Sequence, residues 1–336
     1  MSFARLVIGG VWVGSLAVGA GAQVRPGGAT LLVMNQGDAN MSIVDPVTAR
    51  QVATVSEEVT GVHGHEVATS PDGRTAYLPI YGSTGVGKAG IDGHEMLVVD
   101  LAGRKITGHV DFGHGVRPHC PIYDKVSGLL YVTTELDQTV SVIDPRTLKI
   151  VGAIPTGQAQ SHMLALSRDG KRGYTANVGP GTVSVLDMVG RKTVTVIPVS
   201  GTTQRIALSV DDKMVFTADQ TKPQLAVIDT ATNKVKSWVA LPAVGYGTAP
   251  TLDGRWLLVA IPSAKQVAVV DLKTLKVART IDVPSLPQEV LMRPDGKVAY
   301  VSCNTSGKVA AIDLAEWKVQ SLIDAGKFAD GLGWAK

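Results

Sequence analysis

The stretch Gln160–Ile197, QSHMLALSRDGKRGYTANVGPGTVSVLDMVGRKTVTVI, decides the fold. It opens on an apolar run, Met163–Leu166, and turns at Arg168-Asp169-Gly170, where glycine supplies the positive φ of a tight turn. A second run passes through Tyr174-Thr175-Ala176-Asn177. After Gly179-Pro180-Gly181 a third run, Thr182–Leu186, ends at Asp187, and a fourth spans Thr193–Ile197. Four short β-rich runs separated by turn residues predict one antiparallel meander.

The aspartate that ends the third run recurs at Asp45, Asp100, Asp144, Asp187, Asp229, Asp271 and Asp313. The intervals are 55, 44, 43, 42, 42 and 42 residues. Seven four-stranded units at this period predict an all-β, seven-bladed β-propeller. In Asp45-Pro46-Val47-Thr48, Asp144-Pro145-Arg146-Thr147 and Asp229-Thr230-Ala231-Thr232 the aspartate begins a β-turn, its carboxylate positioned for backbone N–H groups two residues on. That is a structural role, not a catalytic one.

The run Tyr174-Thr175-Ala176-Asn177, with Leu32-Val33-Met34-Asn35, Tyr131-Val132-Thr133-Thr134 and Tyr300-Val301-Ser302-Cys303, resembles the second-strand motif of YVTN-family β-propeller repeats. The turns Ser70-Pro71-Asp72-Gly73 and Arg293-Pro294-Asp295-Gly296 fit the same motif. The resemblance runs over residues 23–336 and implies the fold. It leaves function open, because propellers host many unrelated activities.

Composition agrees. The 336 residues include 37 Gly and 17 Pro, enough for many turns, and only 5% aromatics, so Val, Ala, Leu and Ile must form the core. Runs such as Val183–Leu186 and Val267–Val270 are apolar on both faces, as strands covered by neighbouring blades should be. The formal net charge of +3 and the lack of a basic stripe give no electrostatic case for nucleic acid.

Residues 1–22 carry one Arg (Arg5), an apolar run from Leu6 to Ala20 and the small residues Ala20-Gly21-Ala22. They read as a secretory signal peptide, with the propeller in 23–336 and the mature chain periplasmic or secreted. No later segment has the length of a membrane span. Cys120 falls on a first strand and Cys303 on a second strand of a distant blade, which predicts two separate buried thiols despite an oxidising compartment.

The first strands met in order are Leu31–Asn35, Met41–Val44 and Gln51–Val55, which match strands two, three and four of a unit. The missing first strand lies at 329–334, so the ring is expected to close with three N-terminal strands and one C-terminal strand. Between Tyr77–Tyr81 and Met96–Val99 an insertion, Gly82–Glu95, accounts for the 55-residue interval. It lacks the Gly-Lys-Ser/Thr ending of a phosphate loop. Pro79 before it suggests a bulge.

In a propeller the first strands line the central channel. Aligning them places one residue per blade at the channel mouth: His65, His119, His162, Gln204, Tyr246, Gln288 and Asp330. Glu66, Arg117, Arg205 and Glu289 flank that ring, and His63, His94 and His114 map to the same face. Candidate ligand-binding residues are therefore His65, Glu66, Arg117, His119, His162, Arg205, Tyr246, Glu289 and Asp330. His65, His119 and His162 are candidate ligands for a divalent transition metal such as Zn²⁺, Cu²⁺ or Fe. Arg and His would equally suit an anionic organic ligand. The residues at the mouth are expected to be wet.

No motif for nucleophilic catalysis is present. Three readings stand: a monomeric, non-catalytic binding propeller for a small molecule or another periplasmic protein; a lactonase- or cycloisomerase-like enzyme using His, Arg and Glu; and a redox-linked protein. The last follows from similarity of the repeat to the propellers of nitrous oxide reductase and haem-containing nitrite reductase.

Overall fold

The structure, a computed structural model, describes Met1 and residues 28–336. The expected signal peptide lies outside the described residues apart from Met1. Seven antiparallel sheets follow one another around a ring. Blade 4, the stretch quoted first, pairs Ser161–Leu166, Arg172–Asn177, Thr182–Asp187 and Lys192–Pro198 in that order. Each expected run is there, one or two residues longer.

The ring closes as its sequence pattern predicts. Ala329–Ala335 pairs with Thr30–Asn35, which continues into Asn40–Asp45 and Arg50–Ser56 to complete blade 1. Leu31 faces Trp334 and Val33 faces Leu332 across the seam. No strand edge is left free there.

The second and third strands of the blades are buried almost throughout, while the fourth strands alternate toward solvent. Adjacent blades share their cores: Phe216, Leu225 and Val227 of blade 5 pack with Leu257, Val259 and Ile261 of blade 6. Cys120 and Cys303 are separate, buried and unbridged, and burial pushes both thiols up to about 12.

Every recurrent aspartate sits at the end of a third strand. Asp45 accepts the Val47 N–H at 2.8 Å, Asp144 the Arg146 N–H at 2.9 Å and Asp229 the Ala231 N–H at 3.1 Å. Among the described residues no helix is long and apolar enough to cross a membrane.

Blade 2 departs from the pattern. Its first strand is broken into His63–Gly64 and Ala68–Thr69, both paired to Thr75–Gly82. The insertion is shorter than its sequence suggests, because Asp92–Glu95 already belongs to the third strand, Asp92–Asp100. The connecting loop is 83–91. Pro79 stays in register opposite Met96, and the bulge falls two residues later, between Ile80 and Gly82.

Candidate functional site

A turn common to several blades aims the ring residues inward. Arg117, Gln160, Leu286 and Phe328 all take a positive φ of 50 to 56°, each two residues before a ring residue, namely His119, His162, Gln288 and Asp330. This left-handed turn starts the first strand and points its opening side chains at the axis. Thr133 then ties two neighbours together: its hydroxyl donates to the His162 carbonyl at 2.8 Å and accepts the Cys120 N–H at 2.9 Å.

The seven aligned positions surround one chamber of about 230 Å³, whose lining also includes Gln36 and, from the loop of blade 2, Gly85, Val86 and Lys88. The histidine side of the chamber is closed off, while Gln204, Tyr246 and Gln288 across from it stay partly exposed. His65, His119 and His162 are 9%, 1% and 2% exposed, which corrects the expectation of a wet mouth. The cause is loop 83–91. Arg117 reaches across to it, donating to the Lys88 carbonyl at 2.7 Å and the Gly85 carbonyl at 3.4 Å while pairing with Asp92. Its guanidinium lies 5.6 Å from the centre of the Tyr81 ring.

One half of the chamber is aromatic. The His119 and His162 rings lie 3.6 Å apart, His65 meets His119 at 5.3 Å, and His63 stacks on His65 at 4.9 Å. Tyr81 packs edge-on against both His119 and His162. Glu135, 2% exposed, holds this half in place: one oxygen accepts the Tyr81 hydroxyl at 2.8 Å and the other pairs with His162 Nδ1. His162 Nε2 is left facing Gln204 at 3.3 Å.

His119 has no such partner. Both of its ring nitrogens are buried without a well-formed hydrogen bond, and so is Nε2 of His65. Burial first, then the neighbouring His162, His65 and Arg205, hold His119 well below the usual imidazole range; burial with His63, His162 and Arg205 does the same for His65. Both rings are therefore neutral, the form that can ligate a metal.

The other half is ionic. Arg205 donates to Glu66 at 2.5 Å and to Asp330 at 3.0 Å, with Glu289 at 4.0 Å. Burial raises the carboxyls of Glu66, Glu289 and Asp330 despite Arg205. The neighbouring Glu289 carboxylate pushes Glu66 up further. Burial opposes the charge on Arg205, and Glu66 and Asp330 more than offset it. The Tyr246 ring centre lies 5.2 Å from the guanidinium. Gln36 donates to Asp330, which lies 3.7 Å from His65 Nδ1.

All nine candidate ligand-binding residues thus gather at this end of the channel, in three sub-clusters. Arg117 belongs to the loop contact, and Arg205, Glu66, Glu289 and Asp330 are committed to one another. His65, His119 and His162 come together, but as tilted and edge-on ring contacts: among the described residues, no three His, Cys, Asp or Glu side chains are set to hold one ion. His94 and His114 point elsewhere, pairing on the surface with Asp111 and Asp137. Sequence reading missed Tyr81, Glu135 and Gln36. Aligning the ends of the second strands would have found them, since Tyr81 lies near the end of one such strand and Gln36 and Glu135 directly follow two others.

Comparison with known proteins bears on this geometry. Residues 125–333 match the family model of the Cytochrome D1 heme domain. Among solved structures, the fold is similar to Kuenenia stuttgartiensis Hydrazine Synthase, with a TM-score of 0.67 and 20% identity over 82% of this chain and 90% of that one. It is also similar to dihydro-heme d1 dehydrogenase NirN in complex with DHE, with a TM-score of 0.65 and 16% identity over 90% and 74%. At such identities these structures speak for the fold alone. A search of curated proteins finds no match. The matched residues span well over half of the sequence, from the second strand of blade 3 to the closing strand, and on that match the chain belongs to the Cytochrome D1 heme domain family.

Proposed function

We propose that this protein is a redox-linked binding propeller that takes an iron tetrapyrrole at its histidine chamber, with His119 as the iron ligand. The observation that carries the reading is the imidazole of His119: 1% exposed, neutral, facing the chamber, and without a well-formed hydrogen bond on either ring nitrogen, the His162 backbone beside it being a weak partner. A buried polar group left unpaired costs about 1–3 kcal/mol, which a ligand would recover. Imidazole is a common axial ligand of haem iron, so the donor chemistry fits the group that the family implies.

The room is the constraint. A chamber of about 230 Å³ with two ring centres only 3.6 Å apart does not take a whole macrocycle under loop 83–91. Space has to come from that loop, which Arg117 holds by hydrogen bonds to two carbonyls and an ion pair. When bound, such a group supplies a one-electron redox centre. The chain itself orients His162 through Glu135, keeps His65 and His119 neutral, and buries all three rings. The Glu66–Arg205–Asp330 cluster keeps the floor rigid. That same commitment weighs against the lactonase-like alternative, which needs Arg205 and Glu289 free for substrate.

The test is a haemin titration followed by the Soret band. Wild type should saturate with a shifted band, and His119→Ala should lose it while melting normally. Absence of binding by wild type, or equal binding by His119→Ala, overturns the assignment. Export by Met1–Ala22, with the mature chain beginning near Gln23, is part of the same proposal. An intact mass of periplasmic material that retains residues 1–22 would remove it.

A further inference from the structure

On the opposite end of the ring from the chamber, blades 6 and 7 leave a groove of about 880 Å³ between their turns. In a meander the turns joining strands one to two and three to four share one face, and the mouth residues lie on the other. The groove's centre is a pair of tryptophans from different blades, Trp256 and Trp317, edge-to-face at 5.5 Å. Arg279 lies 5.7 Å from the centre of Trp256 and 5.1 Å from that of Trp317. Arg255 lies 4.7 Å from Trp256.

Both indoles pack half-buried against the core shared by blades 6 and 7, but the turns that carry them do not require an aromatic. Trp317 has φ 55° in its turn, and the matching positions of the other six turns hold Ala49, Arg104, Leu148, Arg191, Asn233 and Leu275 with similar φ. None of those is aromatic, so the turn forms without an indole. A bulky ring at positive φ is unfavourable, and burial does not recover the cost fully, because the ring is half-buried. The residue that opens the second strand, as Trp256 does here, is Arg172 in blade 4 and Met214 in blade 5. Beside the indoles, Leu252 is 49% exposed.

The charges in the groove are not equally available. Asp253 accepts the Arg255 N–H and the Thr251 hydroxyl, Asp295 binds Arg293 and the Lys297 N–H, and Asp313 accepts the N–H groups of Ala315 and Glu316. Each gives one oxygen, Oδ1, to its turn, and Arg255 helps hold the Asp253 carboxyl down. Arg255 and Arg279 make no ion pair among the described residues. A guanidinium laid against an indole keeps its in-plane N–H donors free for a bidentate carboxylate. Half-buried Trp beside exposed Arg is the composition of interface hot spots.

We propose that this groove docks an acidic segment of a partner protein, with carboxylates on Arg255 and Arg279 and an apolar side chain against Trp256, Trp317 and Leu252. Because it faces away from the chamber, the partner leaves the channel mouth open. The proposal stands apart from the tetrapyrrole reading.

The probe is a fluorescein-labelled octapeptide alternating glutamate with leucine, followed by anisotropy at low and high salt. Wild type should bind it, more weakly at high salt, and should not bind the lysine–leucine counterpart. Arg279→Glu and Trp317→Ala should each weaken binding roughly tenfold. Arg279→Glu changes an exposed side chain, so its melting should match wild type, and it decides the matter if Trp317→Ala proves unstable. No binding by wild type, equal binding by Arg279→Glu, or preference for a single-stranded oligonucleotide over the peptide overturns the proposal.

Discussion

Blades 2 and 4 are built from the same repeat and differ in two respects. In blade 4 the first strand, Ser161–Leu166, runs unbroken beside its neighbour, and the second strand passes to the third through only four residues, 178–181. In blade 2 the first strand breaks over His65, Glu66 and Val67, and nine residues, 83–91, join the second strand to the third. The backbone freed by the break is used: the His65 carbonyl accepts the N–H of Gly331 from the closing strand at 2.9 Å. A Cβ at residue 331 would lie 2.2 Å from that oxygen, so only glycine allows the approach. Regular repeats hold the ring together, and the irregular blade supplies the roof and one wall of the chamber.

The comparison can be broken where the ring closes. Deleting residues 328–336 removes Leu332 and Trp334 from the seam and Asp330 from Arg205. We expect a loss of more than about 5 kcal/mol, comparable with the whole stability of a domain. Cooperative melting within a few degrees of the full chain, by circular dichroism, would show that regular pairing is not what holds the ring.

A smaller effect lies beside the broken strand. Glu57 is 1% exposed, and burial raises its carboxyl to about 7 although it accepts the Gly64 N–H. A carboxyl raised in the folded state gives stability that is intact below the unfolded value of 4.5 and is lost as pH climbs through about 7. Glu57→Gln should remove this slope, so that wild type falls relative to the variant by about 3 kcal/mol across that window. Parallel melting curves for the two proteins between pH 4.5 and 7 would refute the assignment.

Next is the roof. Arg117→Ala should free loop 83–91 at a cost of about 1–3 kcal/mol, the range for hydrogen bonds to a charged group. Hydrogen exchange should accelerate in 83–91 and not in 178–181, the same connection in blade 4. Uniform acceleration would mean that Arg117 supports the whole ring.

The smallest change is expected at His119. Replacing a buried imidazole without a well-formed hydrogen bond by Ala should shift melting by only a few degrees, since the lost packing is set against two poorly paired polar atoms. A drop comparable with that of the closure deletion would make His119 a structural residue.

The fold was legible because one aspartate marks the same turn seven times, and each turn needs only local chemistry. The ring of mouth residues was legible by carrying that alignment to the first strands. What escaped depends on contacts across blades. The path of loop 83–91 is set by Arg117 binding carbonyls some thirty residues earlier, so the burial of the histidines has no local signature. Glu135 was missed because nothing in its own stretch announces that it joins Tyr81 to His162.

The seam also sets the order in which the site can exist. Asp330 meets Arg205 and Glu66 in the floor of the chamber, and blades 2 to 7 lie between Glu66 and Asp330 in the chain. A ribosome has to release nearly all of that length before the last wall is present. A partly made chain therefore has blades but no chamber, and capture of a ligand there would report that synthesis has passed residue 330 and the ring has shut.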